Sequence, residues 1–236
     1  MKIIGTGFLA KGLKKIKLLN NSNNLIFYAA GVSNSNSKIN KDYIKDKALL
    51  KKNIINLDSK KVLVYFSSLS VINTKLKKDK YVENKIFIEK FIKRNVKNYL
   101  IIRLPQVIGK SSNPNTLTNF LYKKIKSREK FIIWNKATRY LIDIDDIILI
   151  LQKILSKNYK LNSTINIANL KADSLLNIVK IFEQILFIRA SFKEVKSENR
   201  NVNIEKLNTN TMPNEKCYIQ INNKNYLNKI LRKYYK

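Results

Sequence analysis

Histidine is missing altogether from this chain of 236 residues, cysteine occurs once, at Cys217, and there are five glycines and three prolines. Without histidine, a zinc site or a Ser-His-Asp triad is nearly excluded. A single cysteine rules out an internal disulfide. Proton transfer must then fall to Tyr, Lys, Ser, carboxylates or a cofactor. No apolar run approaches the roughly 20 residues of a membrane span. No leading segment joins a basic stretch, an apolar stretch and a small-residue cleavage site, so the expectation is a cytoplasmic protein with no membrane association. Acidic residues are scarce too, 16 against 47 Lys and Arg, which leaves a net charge of +31. That excess would ordinarily suggest nucleic acid. The lysines, however, are spread along the whole chain among many Asn and Ile and greatly outnumber arginine, whereas a DNA reader concentrates Arg. The expectation is solvated surface with some benefit for holding an anionic substrate, and nucleic acid binding only of the non-specific kind.

What is present is a hydrophobic fraction of 44%, enough to bury the core of one α/β domain with a small appended lobe. Apolar runs and helical patterns alternate as in a parallel sheet. Strands are expected at 2–4, 25–31 (LIFYAAG), 61–68 (KVLVYFSS) and 99–105 (YLIIRLP). Helices are expected at 8–18, at 40–56 and from about Tyr81 to Asn95, the last burying Ile86, Ile88, Phe91 and Ile92. The Asn-, Lys-, Glu- and Ser-rich tract 196–216 reads as a loop or excursion. Glycine is kept mainly where backbone needs positive φ or close approach. Gly5 and Gly7 stand in MKIIGTGFLAKGL, a short apolar run, a G-x-G-x-x-A turn and a helical pattern. In a dinucleotide site, glycines so placed let a pyrophosphate meet the amides at a helix start.

Tyr81 and Lys85, in YVENK, follow the strand that ends in Ser67 and Ser68. Four residues apart on a helix, the two side chains share one face. An ammonium beside the phenol would favour phenolate and draw its pKa down from about 10, making it able to exchange a proton with a sugar hydroxyl near neutral pH. The same spacing recurs at Tyr43 with Lys47 and at Tyr122 with Lys126. Those copies have no strand-end serine before them and read as surface or packing tyrosines. In parallel sheets ligands sit beyond the carboxyl ends of the strands. Gly5 to Ala10 (with Phe8 and Leu9), Ala29, Ala30 and Gly31, Ser67 and Ser68, and Pro105 and Gln106 all fall there.

GTGFLA (5–10), FYAAG (27–31), VYFSSLSV (64–71), YVENK (81–85), IRLPQVIG (102–109) and RYLIDIDDI (139–147) occur in that order, with TINIAN (164–169) as a late strand. The chain thereby resembles the extended short-chain dehydrogenase/reductases of the NAD-dependent epimerase/dehydratase type, which act on nucleotide sugars. The resemblance implies a Rossmann-like parallel sheet with helices on both faces and a small C-terminal substrate lobe. It implies NAD or NADP as cofactor, held by Gly5, Gly7, Phe8, Leu9, Ala29, Ala30, Gly31, Tyr81, Lys85 and Pro105. Ser68 would orient the reacting oxygen, Tyr81 would be the acid/base, and Lys85 would tune Tyr81 and hold the cofactor ribose. Gln106 stands where relatives place an Asn facing the nucleotide sugar, and Arg139 where an Arg reaches its pyrophosphate, the alternative for Arg139 being an ion pair with Asp143 or Asp145. Asn113, Asn115 and Trp134 are further substrate candidates, although Asn-Pro-Asn is also ordinary turn chemistry capping a helix at Thr116. A homodimer through helices 40–56 and 83–95 is implied as well.

Departures from the family pattern narrow the reading. Leu69 and Ser70 stand where dehydratases carry Asp-Glu, which disfavours dehydration; keto-sugar reduction or 4-epimerisation remains, in surface-polysaccharide sugar synthesis. Relatives also have two further early strands, the first ending in the residue that contacts the adenosine ribose. Here the first helix runs through NNSNN straight into LIFYAAG, and no acidic residue follows the glycines until Asp42. The sheet is expected to be short of those two strands, which puts cofactor affinity at risk. It keeps open a catalytically degenerate member that binds a sugar nucleotide or a protein. The expected domains are a Rossmann-like core at 1–109, a substrate-lobe insertion at 110–135, a return to the core at 136–170 and a C-terminal lobe at 171–236.

Overall fold

The structure, a computed structural model, describes residues 1–16, 24–32, 39–73, 79–156, 160–168, 171–196 and 225–236. In chain order the first half contains β1 (Lys2–Ile4), α1 (Phe8–Leu13), β2 (Leu25–Tyr28), α2 (Asn40–Ile54), β3 (Val62–Ser68), α3 (Lys80–Asn95) and β4 (Tyr99–Leu104). The second contains β5 (Gln106–Ile108), α4 (Leu117–Lys126), β6 (Phe131–Trp134), β7 (Thr138–Arg139), β8 (Leu141–Asp143), α5 (Ile144–Leu155), β9 (Ser163–Asn166), β10 (Asp173–Ser174), α6 (Leu175–Leu186), β11 (Phe192–Val195) and α7 (Tyr226–Tyr235). The expected tract 196–216 lies, after its first residue, outside the described residues, as does Cys217.

Five strands form a wholly parallel sheet in the order β1-β2-β3-β4-β9. Side chains alternate across a strand, and here both faces are covered, so β3 and β4 read as nearly continuous apolar runs. Phe27, Val64, Phe66 and Ile102 pack on Leu13 of α1 and Ile147 and Leu151 of α5. Their neighbours Tyr28, Leu63, Tyr65 and Ile101 pack on Leu50 and Ile54 of α2 and Ile88 and Ile92 of α3.

This division has a topological consequence. The crossovers through α1, α2 and α3 all step the same way across the sheet, yet α1 lies on the face opposite the other two. The first crossover therefore has the opposite hand to the next two. Among the described residues no strand pairs on the outer side of β1, which is an edge. The sheet thus ends where the sequence lacks two early strands.

Two expectations are corrected. α1 ends at Leu13, and bonds from the Lys15 and Ile16 amides to the carbonyls of Gly12 and Leu13 tighten its last turn; residues 17–18 are outside the described set. The buried side of α3 holds Val82, Ile88 and Ile92 together with polar Asn84, Lys85 and Glu89, whereas Ile86 and Phe91 are half-buried. A hydrophobic pattern does not register polar groups that are buried because they have partners, and Glu89 has one: Arg103 on β4, which donates from Nε (3.0 Å) and Nη2 (2.7 Å) to its carboxylate.

A second core joins α4, β6, α6 and α7, with Leu121, Ile125, Phe131, Ile133, Phe182, Leu227 and Leu231 among its buried residues. Around it, β11 pairs with β6 in parallel and β10 with β7 antiparallel. α7 is tied to the acidic start of α5: Tyr226 Oη donates to Asp146 at 2.6 Å, Lys233 Nζ to Asp143 and Asp145 at 2.7 Å each, and Tyr234 Oη to Asp143 at 2.6 Å.

Candidate active site

Because the sheet is parallel, the turns after β1, β2, β3 and β4 gather at one edge. Gly5, in the first turn, has φ +123°, and a Cβ on it would lie 2.6 Å from the Ala29 carbonyl oxygen. Its role is to let the turn after β1 press on the end of β2. Gly7, with φ −71°, is different, since a Cβ there would meet nothing within 4 Å. Its bare backbone faces open space at the start of α1, where amides lack helical partners. That is the feature a bound pyrophosphate requires, so the residues present fit that part of a dinucleotide. Phe8 and Leu9 pack their side chains on the sheet core, Phe8 across Gly109, so the groups they offer a ligand are backbone N–H. Ala29 spends its amide on the Ile4 carbonyl at 2.8 Å, and Gly31 takes φ +127°. The ribose side is less furnished, for beyond β1 no described strand brings a side chain.

Ser68 ends β3 and caps the short 3₁₀ turn Leu69–Ile72. Its Oγ accepts from the Ser70 amide at 3.2 Å and lies 2.8 Å from Ser70 Oγ. Tyr81 is placed by the start of α3, where Asp79 Oδ1 accepts from the amides of Tyr81 (3.0 Å) and Val82 (3.2 Å), a cap worth about 1 kcal/mol. The phenol side chain is half-buried. One turn on, Lys85 is 5% exposed, and its Nζ donates to Tyr65 Oη at 3.1 Å while lying 5.2 Å from the Tyr65 ring centroid and 5.7 Å from that of Tyr81. The ammonium therefore lies near the Tyr81 ring, with its hydrogen bond directed to a tyrosine of β3. Burial alone would pull the Lys85 pKa down; Tyr65, Tyr81 and Asp46 outweigh it and raise it. Burial, seconded by Asp46, pushes Tyr28 up; for Tyr65 burial is again the largest cause of an upward shift.

The two other Tyr-x-x-x-Lys copies serve packing. Tyr43 is buried on α2, and Tyr122 lies against Phe182 and Tyr235 in the second core. Lys126 Nζ does reach Tyr122 Oη, at 3.4 Å, so contact within such a pair is no mark of an active one.

Pro105 joins β4 to β5, and Gln106 opens β5 with an exposed side chain. Arg139, on β7, is half-buried, its Nη1 donating to the Thr138 carbonyl at 2.8 Å; burial disfavours its charge. The alternative partners considered for it, Asp143 and Asp145, are instead engaged by Lys233. Asn113 Oδ1 accepts from the Asn115 amide at 3.0 Å, and Thr116 caps α4, the turn chemistry that Asn-Pro-Asn allows. Trp134 is exposed on β6.

The sequence reading missed Tyr28, Asp46, Tyr65 and Asn84, of which Tyr65 accepts from Lys85 and Asp46 from Asn84. For Asp46 a signal was available, because it falls on the buried stripe Tyr43, Asp46, Leu50, Ile54 of α2. No group of described residues could hold a metal ion, and no helix of the described chain is long and apolar enough to cross a membrane. A small cleft lined by Leu57, Ser59, Asn95 and Asn98 sits at the opposite edge of the sheet, ahead of β3 and β4.

No protein-family model and no curated protein matches the sequence. Solved structures do match the fold. RMD from Pseudomonas aeruginosa, complexed with NADPH, superposes with a TM-score of 0.68 over 99% of this chain and 97% of its own, at 11% identity. UDP-glucuronic acid 4-epimerase from Bacillus cereus, in complex with NAD, gives 0.64 over 96% and 75% at 17% identity. UDP-glucose 4-epimerase from Thermotoga maritima, with UDP-glucose, gives 0.60 over 89% and 75% at 14% identity. The chain has the Rossmann-like α/β fold of the NAD-dependent nucleotide-sugar epimerases and reductases.

Proposed function

We propose that this chain is a nucleotide-sugar oxidoreductase or epimerase that reduces a keto-sugar or inverts C4 by oxidation and re-reduction, with Tyr81 as its acid/base. The observations that support the reading are Ser68 at the carboxyl end of β3, Lys85 Nζ 5.7 Å from the Tyr81 ring centroid on α3, and the bare Gly7 backbone in the first turn of the same parallel sheet. NAD or NADP, when bound, supplies or takes up the hydride. The chain's own residues do the rest. Ser68 Oγ orients the sugar oxygen, and Tyr81 Oη gives a proton to it on reduction or removes one on oxidation. Lys85 places a positive charge beside the phenol and contributes to the ribose contact. Arg139 meets the substrate pyrophosphate, with Gln106, Asn113 and Asn115 beside the sugar. Residues 110–135 and 171–236 serve as the substrate lobe on a cofactor-binding core of 1–109 and 136–170. The neighbours' complexes with NADPH, NAD and UDP-glucose support this reading. The setting is sugar supply for surface polysaccharide in the cytoplasm, by a homodimer formed through α2 and α3, where Ile44, Leu49 and Phe87 are exposed.

A second reading, a degenerate member that binds a sugar nucleotide or a protein without turnover, is favoured by the edge position of β1. Turnover assays with a panel of UDP-, GDP- and dTDP-linked 4-keto sugars and NADH or NADPH separate the two. The catalytic reading expects turnover that falls about 10²–10⁴-fold in Tyr81→Phe. Cofactor oxidation equal in wild type and Tyr81→Phe would remove Tyr81 from the chemistry.

A further inference from the structure

Asn84, which directly precedes Lys85, belongs to a set of buried polar groups that the acid/base reading leaves unused. Asp46 projects from the buried side of α2, 4% exposed, and its Oδ2 accepts from Asn84 Nδ2 at 2.8 Å. Asn84 is 2% exposed. Asp46 Oδ1, Asn84 Oδ1 and the Tyr28 hydroxyl are buried without a hydrogen-bond partner among the described residues. The turn after β2 makes room for the carboxylate, since a Cβ on Gly31 would come within 2.9 Å of Asp46 Oδ1.

A half-satisfied carboxylate in a core is costly unless it compensates another buried charge. Lys85 is such a charge, with one of its three donors spent on Tyr65. The groups whose charge favours the ammonium are Tyr65 from β3, Tyr81 from α3 and Asp46 from α2, while Tyr28 from β2 lies within the same field. The tyrosines act as anions only when ionised, so the carboxylate among these groups is the natural counter-charge. It acts through space, since the hydrogen bond given for the Asp46 carboxylate comes from Asn84 and that of Lys85 goes to Tyr65.

We propose that Asp46 is the positioning residue of this site: held by Asn84, its buried carboxylate is the counter-charge of the Lys85 ammonium that lies between Tyr65 and Tyr81. The catalytic meaning of the assignment rests on the Tyr81 and Lys85 reading above; the charge coupling itself does not.

Thermal unfolding of the full chain as wild type, Asp46→Asn, Lys85→Met and the double variant tests it. Each single change strands one buried charge and lowers Tm, while the double change removes both, so it melts about 5 °C or more above the additive value. Losses that simply add would overturn the proposal. If Asp46→Asn does not fold alone, its behaviour in the Lys85→Met background decides, with restored folding in favour and continued unfolding against. A titration of the Lys85 Cε resonance gives the electrostatic readout: the ammonium deprotonates at lower pH in Asp46→Asn, and an unmoved titration counts against the role. Failure to bind NADH or NADPH would sink the hydride-transfer reading alone, because neither measurement depends on a cofactor.

Discussion

Alanine at Gly5 and alanine at Gly7 place the same methyl group in two different surroundings two residues apart. At Gly5 the backbone has φ +123°, and the new Cβ would lie 2.6 Å from a backbone carbonyl oxygen that cannot rotate away. Backbone strain of about 1–3 kcal/mol and overpacking of similar size combine to about 3 kcal/mol or more. For a chain of this length that lowers Tm by roughly 6–12 °C. At Gly7 the φ of −71° suits any residue, and the methyl would project into open space. Its Tm should stay within about 2 °C of wild type, as for surface substitutions generally. The methyl would, however, occupy the place where a pyrophosphate approaches the backbone, and cofactor affinity should fall tenfold or more, about 1.4 kcal/mol. Circular-dichroism melts and fluorescence titrations with NADH and NADPH measure both quantities. If Gly7→Ala melts as low as Gly5→Ala, or binds cofactor as wild type does, the assignment of one glycine to packing and the other to ligand is wrong.

Other expectations follow from the same geometry. Glu89→Gln, which removes the carboxylate charge facing the buried Arg103 guanidinium, should destabilise by about 3–5 kcal/mol in urea unfolding, and Glu89→Leu with Arg103→Met should recover most of that; a mild single effect would refute the view of this pair as buried and coupled. The hydrogen bond from Lys233, with Lys15 beside it, holds the Asp145 pKa below the usual carboxylate range. A depressed carboxylate contributes stability above its unfolded pKa of about 3.9 and loses it as pH falls through the folded value, so amides of α7 should lose hydrogen-exchange protection below about pH 4 while those of β3 keep theirs. Equal behaviour of the two elements would contradict the anchoring role. Phe87→Glu, on the exposed side of α3 where Lys47 Nζ lies 4.4 Å from its ring centroid, should shift the proposed dimer to monomer in light scattering; a wild type that is already monomeric, or an unchanged mass, would remove this face as an interface.

The strands were legible because β2, β3 and β4 are buried on both sides and so are written as apolar runs closed by Gly31, Ser68 and Pro105. Tyr81 could be singled out from its two copies by order along the sheet, which is information about topology rather than spacing. What lay beyond reach were contacts between buried polar groups far apart in the chain. Asn84 meets Asp46 across 38 residues and Lys85 meets Tyr65 across 20. A hydrophobic pattern registers Asn84 and Glu89 only as polar positions and does not show that they are buried on α3. The fastening of α7 to Asp143, Asp145 and Asp146 likewise depends on tertiary neighbours that local pattern does not encode.

The most direct test of the account is equilibrium titration of the purified chain with NADPH and with NADH. The geometry around Gly7, Tyr81 and Lys85 predicts saturable binding of at least one of them below millimolar concentration, kept in Tyr81→Phe and weakened in Gly7→Ala. No binding of either at millimolar concentration would contradict hydride transfer as the function of this site.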